Sequence, residues 1–143
     1  MHTEPGSIPD HPGGTAAEPF GGTGTGTRLG PLAFTVSRAA NERYWRSAGV
    51  DHPLLEAGAL YPPIAANLTI LLFQTVAPRP LLHTAQRLTC HRAARSGEEL
   101  VVRGVLTDRF AKRGREYAVV EADITLAEGD RLWTSTATFC EIP

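Results

Sequence analysis

Leu82-His83-Thr84-Ala85-Gln86-Arg87-Leu88-Thr89-Cys90-His91-Arg92, read with the Ser96-Gly97-Glu98-Glu99-Leu100 that follows, decides the fold of this chain. Within the first run Gln86, Leu88 and Cys90 alternate with Arg87, Thr89 and His91, the two-residue period of a strand. A basic corner and the Gly97 turn then lead into a second strand, over 99–110, carrying Leu100, Val101, Val102, Val105 and Leu106. Lys112-Arg113-Gly114-Arg115 reads as a hairpin turn. Beyond it, Ala118, Val120, Ala122 and Ile124 share one face against Val119, Glu121, Asp123 and Thr125. Glu128-Gly129-Asp130 turns the chain once more, and a last strand runs over 132–142. Four successive antiparallel strands are predicted.

Upstream of this sheet, Pro62-Pro63 opens a helix that runs to about Gln74, since proline fits a first turn where its missing N–H is not needed. Ile64, Ala65, Ala66, Leu68, Ile70, Leu71, Leu72 and Phe73 make that helix apolar nearly all round. Such a helix is buried on most faces, and a curved sheet is the natural way to bury it in a small protein. Asn67 is its polar exception. Buried amides need partners, so Asn67 is expected to bond either the crossing loop or a ligand. Before this helix come a short strand over 32–36, an N-cap at Ser37, and a helix over 38–47 stopped by Gly49. Ala39, Ala40, Tyr44 and Trp45 are its expected inward residues, and 50–61 reads as a loop. The fold class is α+β.

Residues 1–30 are rich in Pro, Gly and Thr, with little beyond Ile8 and Phe20 to bury, and read as a disordered tail before a folded domain at 31–143. The Gly-x-Gly spacing there lacks a preceding strand and a Lys-Ser/Thr pair, so it does not read as a phosphate loop. A formal net charge of −1 argues against a nucleic-acid partner, which would need a basic face. Cys90 and Cys140 have no metal-ligand spacing and read as buried free thiols of a reducing compartment. The apolar run at 64–73 is too short to cross a bilayer, and no leader pattern is visible. The expectation is a cytoplasmic protein with no membrane partner, metal or redox cofactor.

The strand pair, with His83, Gln86, the basic corner and Gly97-Glu98-Glu99-Leu100, resembles that of the MaoC-like hotdog proteins, the (R)-specific enoyl-thioester hydratases and 3-hydroxyacyl-thioester dehydratases. The resemblance covers about residues 32–142. It implies a hotdog fold, a curved antiparallel sheet wrapped on one long helix, and dimers paired through sheet edges. It also implies an acyl-CoA or acyl-carrier-protein thioester as substrate.

Gly49-Val50-Asp51-His52-Pro53-Leu54-Leu55 looks like the family loop whose Asp and His activate a water. Anchored on Pro53, it places Val50 and Leu55 where those two residues belong; slid to rescue Asp51, it places Glu56 at the His position. Neither side chain at 50 or 55 can move a proton. Active members begin the core helix with His-Gly, whose glycine N–H polarises the thioester carbonyl. Here the segment is Tyr61-Pro62-Pro63-Ile64, and proline has no N–H. Pro-Pro at this point resembles the non-catalytic halves of the family, which hold the acyl chain while a partner hotdog supplies the dyad. On that reading His83, Gln86, Asn67 and Tyr61 contact substrate, in a heterodimer with a catalytic hotdog or a homodimer.

Two alternatives stay open. Asp51, His52 and His83 could form an unorthodox site of a self-sufficient hydro-lyase or cyclase. Glu56 could serve a hotdog thioesterase. Each residue also has a purely structural reading: His83 as a satisfied strand histidine, Gln86 as a loop cap, Asp51-His52 as a turn before Pro53.

Overall fold

The computed structural model describes residues 18–49 and 51–142. In chain order these form a short 3₁₀ turn at Pro19–Gly22, strand β1 (Arg28–Thr35), helix α1 (Arg38–Ser47), helix α2 (Pro53–Glu56), helix α3 (Ile64–Gln74), and strands β2 (Leu81–Cys90), β3 (Glu99–Lys112), β4 (Arg115–Leu126) and β5 (Arg131–Glu141). The five strands make one antiparallel sheet in the order β1-β3-β4-β5-β2. Both edges, β1 and β2, lack a second neighbour within the described chain. Helix α3 touches all five strands.

The alternation in β4 orders the core as anticipated. Ala118, Val120, Ala122, Ile124 and Leu126 are buried, with Trp133, Ala137 and Phe139 of β5 beside them. These residues enclose Ile64, Ala65, Leu68, Leu72 and Phe73 of α3. Leu72 reaches the sheet where two glycines leave room. A Cβ on Gly30 would lie 3.0 Å from Leu72 Cδ1, and one on Gly104 would lie 2.8 Å from Leu72 Cδ2. Real Cβ contacts are longer than this, so glycine at both positions sets how closely the helix approaches.

Ser37 caps α1 as expected, its Oγ accepting from the Ala40 N–H at 3.1 Å. Gly49 follows α1 with φ +71°, a left-handed stop. The inward face of that helix differs from expectation. Asn41 and Trp45 are buried, whereas Ala39 and Tyr44 are exposed. An amide is worth burying here because it joins two segments. Asn41 Nδ2 donates to the Ala59 carbonyl at 2.9 Å, and Oδ1 accepts the Tyr61 N–H at 2.9 Å.

Two further readings are corrected and one is refined. The expected tail boundary at residue 30 is too late: β1 begins at Arg28, and Phe20 is fully buried. One large aromatic ring supplies enough apolar area to order a polar turn around it. Residues 1–17 of that reading lie outside the described residues. Helix α3 is buried on most faces, as expected, but one face stays open. Pro63, Asn67, Leu71 and Gln74, spaced by three and four, form an exposed stripe along it. Five strands wrap only the opposite side. Of the two free cysteines, Cys140 is buried but Cys90 is exposed, because it lies on an edge strand.

Candidate functional site

Helix α3 packs against edge strand β2, and the sequence-predicted residues His83 and Gln86 lie on that strand. Which face they occupy depends on an irregularity in the strand. His83 and Gln86 are three residues apart and would point to opposite faces of a regular strand. The register against β5 shifts between His83 and Ala85, however, so that His83 pairs with Phe139 and Gln86 with Ala137. Directly paired residues share a face, and Phe139 and Ala137 are both buried against α3. The bulge therefore turns His83 and Gln86 onto the same, helix-facing side. It is what gives a His-x-x-Gln spacing a common surface.

Gln86 anchors a polar chain through otherwise apolar surroundings. Its Nε2 donates to Ser135 Oγ at 2.8 Å and to the Arg87 carbonyl at 2.9 Å. Thr69 Oγ1 lies 2.8 Å from Ser135 Oγ and 2.9 Å from the Ala65 carbonyl. A carbonyl can only accept, and Thr69 has one proton, so Thr69 donates to Ala65 and accepts from Ser135. The same logic orients Gln86: the Arg87 carbonyl demands an N–H, which leaves Oε1 as an acceptor. Ser135 and Thr69 are fully buried. The sequence reading missed both. The signal was there: Thr69 is the second polar residue on the apolar helix, one helical turn from Ala65.

This relay is testable. Ser135→Ala is expected to cost about 1 kcal/mol, the net worth of a typical hydrogen bond. A double-mutant cycle with Gln86→Ala should return a coupling of similar size, on the order of 1 kcal/mol, because the two side chains share one bond. Strict additivity in urea melts would mean the relay carries no energy.

His83 is half-buried. Its ring packs 5.1 Å from Phe139, and its Nε2 is buried without a hydrogen-bond partner. The plain reading of a satisfied strand histidine therefore fails for that nitrogen. Trp133 Nε1, on the same face of β5, is likewise unpartnered. Asn67 is exposed on the α3 stripe, not buried as its apolar neighbours suggested, and it faces out because the sheet stops at β2.

Tyr61 is half-buried at the start of α3. Its ring stacks on Tyr44 (6.5 Å) and meets Trp45 edge-on (5.1 Å). Asn41 holds its N–H, and Trp45 Nε1 donates to the Ala59 carbonyl at 3.0 Å. The start of α3 is thus positioned by α1. Its backbone offers no spare donor in the first turn. The N–H groups of Ile64, Ala65 and Ala66 bond the carbonyls of Tyr61, Pro62 and Pro63, and the two prolines have none.

Asp51 and His52 lie elsewhere. His52 is exposed, its Nδ1 accepts the Leu54 N–H at 3.1 Å, and its ring stacks on Trp45 at 5.6 Å. That makes it the N-cap of α2. Asp51 lines an open surface cleft with Arg38, Glu42, Arg46, Leu55 and Glu56. Among the described residues, no hydrogen bond joins either to His83 or Gln86. Val50 lies outside the described residues. Glu56 is exposed in α2, upstream of α3. The basic corner is also occupied: Arg92 pairs with Asp130, and His91 Nε2 lies 2.8 Å from Thr134 Oγ1. Among the described residues no cluster of three or more His, Cys, Asp or Glu side chains could hold a metal ion. No helix there is long and apolar enough to cross a membrane.

With this geometry in hand, the architecture can be matched to solved proteins. A 3R-hydroxyacyl-ACP dehydratase complex, HadBC, from Mycobacterium tuberculosis contains a chain that superposes with a TM-score of 0.70 at 18% identity, over 81% of this chain and 96% of that one. An (R)-hydratase from A. caviae superposes at 0.69 and 16% identity, over 85% and 98%. The fold is the hotdog fold of MaoC-like hydratases and dehydratases. A chain of the ChsH1-ChsH2 complex from Mycobacterium tuberculosis shares the hotdog arrangement at 0.67 and 11% identity, over 84% and 99%. No protein-family model matches the sequence, and no curated protein matches it.

Proposed function

We propose that this chain is an acyl-thioester-holding member of the MaoC-like hydratase and dehydratase group, and that it works beside a second hotdog that supplies the acid/base dyad. The observation that carries this reading is the start of α3. Every first-turn N–H is already bonded within the chain, and Pro62 and Pro63 contribute none. An acyl carbonyl placed there would find no oxyanion donor, and loss of one such donor costs about 100-fold or more in rate. The loop before it agrees. Leu55 cannot transfer a proton, and His52 spends its Nδ1 on capping α2.

Polar and apolar groups on α3 and β2 suit an acyl thioester. They are the exposed Leu71 and Asn67 of α3, the Gln86 amide, and the His83 imidazole nitrogen that lacks a partner among the described residues. The open edge suits a partner. Leu71 and Leu82 are 44% and 46% exposed, one on the α3 stripe and one on the unpaired edge. A second hotdog seated against this edge would pair β2, meeting Leu71 on the helix side of the sheet and Leu82 on its other side. The HadBC and ChsH1-ChsH2 structures are, by their names, complexes, which supports a heterodimer for this chain. Its place would then be a cytoplasmic fatty-acid or polyketide route that handles CoA- or carrier-bound acyl groups.

The test is hydration of a short trans-2-enoyl-CoA by the purified chain, read by loss of enoyl-thioester absorbance, alongside calorimetric binding of acyl-CoA. The expected result is binding without turnover. Turnover that persists in the chain alone, and that His83→Ala removes, would overturn the holding role in favour of a self-sufficient hydro-lyase. Leu71→Asp should abolish association with a catalytic hotdog, or self-association, in light scattering while leaving the thermal melt within a few degrees, since Leu71 is exposed in the lone chain.

A further inference from the structure

We propose that the hairpin joining β3 to β4 is a peripheral membrane contact, its tip resting on an anionic lipid surface. The inference is independent of the acyl-holding role. The expected absence of a membrane partner rested on the lack of a spanning run, and a contact made from the aqueous side needs none.

The hairpin reaches past its neighbours in the sheet. The pairing of β1 with β3 ends at Arg28 and Val105, and that of β5 with β4 ends at Cys140 and Tyr117. Strands β3 and β4 stay paired out to Lys112 and Arg115, so their last residues form a two-stranded ribbon. A two-residue turn closes it, Arg113-Gly114, with φ of +52° and +75°. Such turns match the twist of the strands, but they favour Asn, Asp or Gly at the first position. Arginine there holds a left-handed backbone that few side chains adopt. Local backbone preference does not account for an arginine at the outermost point of the ribbon; what it presents to the outside does.

Alternation sorts the ribbon into two faces. Arg109 and Glu116 form an ion pair at 3.5 Å on the side that carries Phe20. Phe110, Lys112, Arg115 and Tyr117 fall on the opposite face, where paired residues lie side by side. Phe110 is 38% exposed and stacks on Tyr117 with centroids 5.0 Å apart and planes within 6°. Ile142, two residues beyond the Tyr117 partner Cys140, adds an exposed aliphatic side chain to that face. Lys112, Arg113 and Arg115 are exposed, and among the described residues none of them pairs with a carboxylate. The tip therefore gathers three free cations around an apolar patch, in a chain whose formal net charge is −1.

That combination is the chemistry of a membrane interface. The cations meet lipid phosphates, and Tyr117 has an apolar ring with a polar hydroxyl that suits headgroup depth. A projecting tip also suits a surface that yields to it. A single nucleic-acid strand is the other polyanion with affinity for aromatic and basic groups, but its bases need open ring faces to stack on. Phe110 and Tyr117 each spend one face on the other.

The experiment is co-sedimentation of the full-length protein with vesicles of phosphatidylcholine alone, or of phosphatidylcholine with about a third phosphatidylglycerol. Each cation at an anionic surface is worth about fivefold in partitioning. The anionic vesicles should therefore bind the protein on the order of 100-fold better at low salt, and high salt should remove most of the difference. Lys112→Ser, Arg113→Asn and Arg115→Ser together should reduce anionic binding to the neutral level; asparagine keeps the left-handed turn. Arg38→Ser, Arg43→Ser and Arg46→Ser on α1 make the same change in net charge and should leave binding within about twofold. Thermal melts report folding; if the triple hairpin variant does not fold, Arg113→Asn alone decides, with about a fivefold loss expected. Equal partitioning onto both kinds of vesicle, or a folded hairpin variant that binds as the wild type does, would overturn the proposal. Binding of labelled oligothymidylate without vesicle binding would overturn it in favour of a nucleic-acid strand.

Discussion

Asn41→Leu is expected to lower the unfolding free energy by about 3 kcal/mol, within the range for breaking a buried hydrogen-bond network. The size and shape of the side chain are nearly kept, so the loss isolates the polar contribution. Asn41 is 1% exposed and makes two bonds of 2.9 Å, one to the Ala59 carbonyl and one from the Tyr61 N–H. Ala59 would retain the Trp45 indole as a donor, whereas the Tyr61 N–H would lose its partner. The cost therefore falls on the segment that leads into Pro62-Pro63 and α3. A urea titration followed by tryptophan fluorescence reads it directly, because Trp45 packs on Tyr61 and His52. With a slope of about 1–3 kcal/mol per molar urea, the midpoint should fall by on the order of 1–2 M. A change below about 1 kcal/mol would show that water or a shifted loop replaces the amide. The binding consequence separates this residue from a merely stabilising one. If α1 positions the start of α3 for the proposed acyl-holding role, acyl-CoA affinity in the folded variant should weaken more than it does in a surface variant of equal stability.

Gly104→Val carries an effect of similar size from the opposite cause, overpacking. A Cβ at this position would stand 2.8 Å from Leu72 Cδ2 and 2.9 Å from the Glu121 carbonyl. Leu72 is itself fully buried beneath the sheet, and its other methyl lies against Gly30. The side chain therefore has nowhere to retreat, and the Glu121 carbonyl belongs to β4. Relief requires α3 to lift from β3 or the β3–β4 pair to spread. Overpacking of this kind costs typically 1–3 kcal/mol and occasionally more, and the added β-branch places this position at about 3 kcal/mol. Urea denaturation measures it. Pairing Gly104→Val with Leu72→Ala gives the diagnostic. If the Leu72 contact is the cause, the double variant should be more stable than the sum of the two single losses predicts. Additive losses would place the strain at the Glu121 carbonyl instead.

The strands were legible in the sequence because a half-buried strand writes its burial into every second residue. Ala118, Val120, Ala122 and Ile124 are inward in the sequence pattern and buried in the fold. The apolar α3, the Ser37 cap and the Gly49 stop were legible for the same kind of reason, each being a local preference of backbone and side chain. The missing donor at Pro62-Pro63 was legible too, because proline lacks an N–H in any fold.

Other features were decided only when distant segments met. Phe20 looked like an isolated hydrophobe in a polar stretch; its burial depends on Phe73 and Arg109, far along the chain. Asn41 reads as an ordinary helix residue until Ala59 and Tyr61 lie beside it. Asn67 seemed buried because periodicity counts apolar neighbours and cannot see where a sheet ends. Asp51 and His52 are adjacent to the expected site loop in sequence, but His52 is committed to capping α2 and stacking on Trp45. The common face of His83 and Gln86 is the clearest case. Their spacing alone puts them on opposite sides of a strand, and only the bulge against β5 brings them together. By itself, then, the sequence determined what local chemistry controls: the strands, the helices and the absent donor. The tertiary structure decided which side chains share a surface, because that depends on register and edges set by contacts between residues remote in the chain.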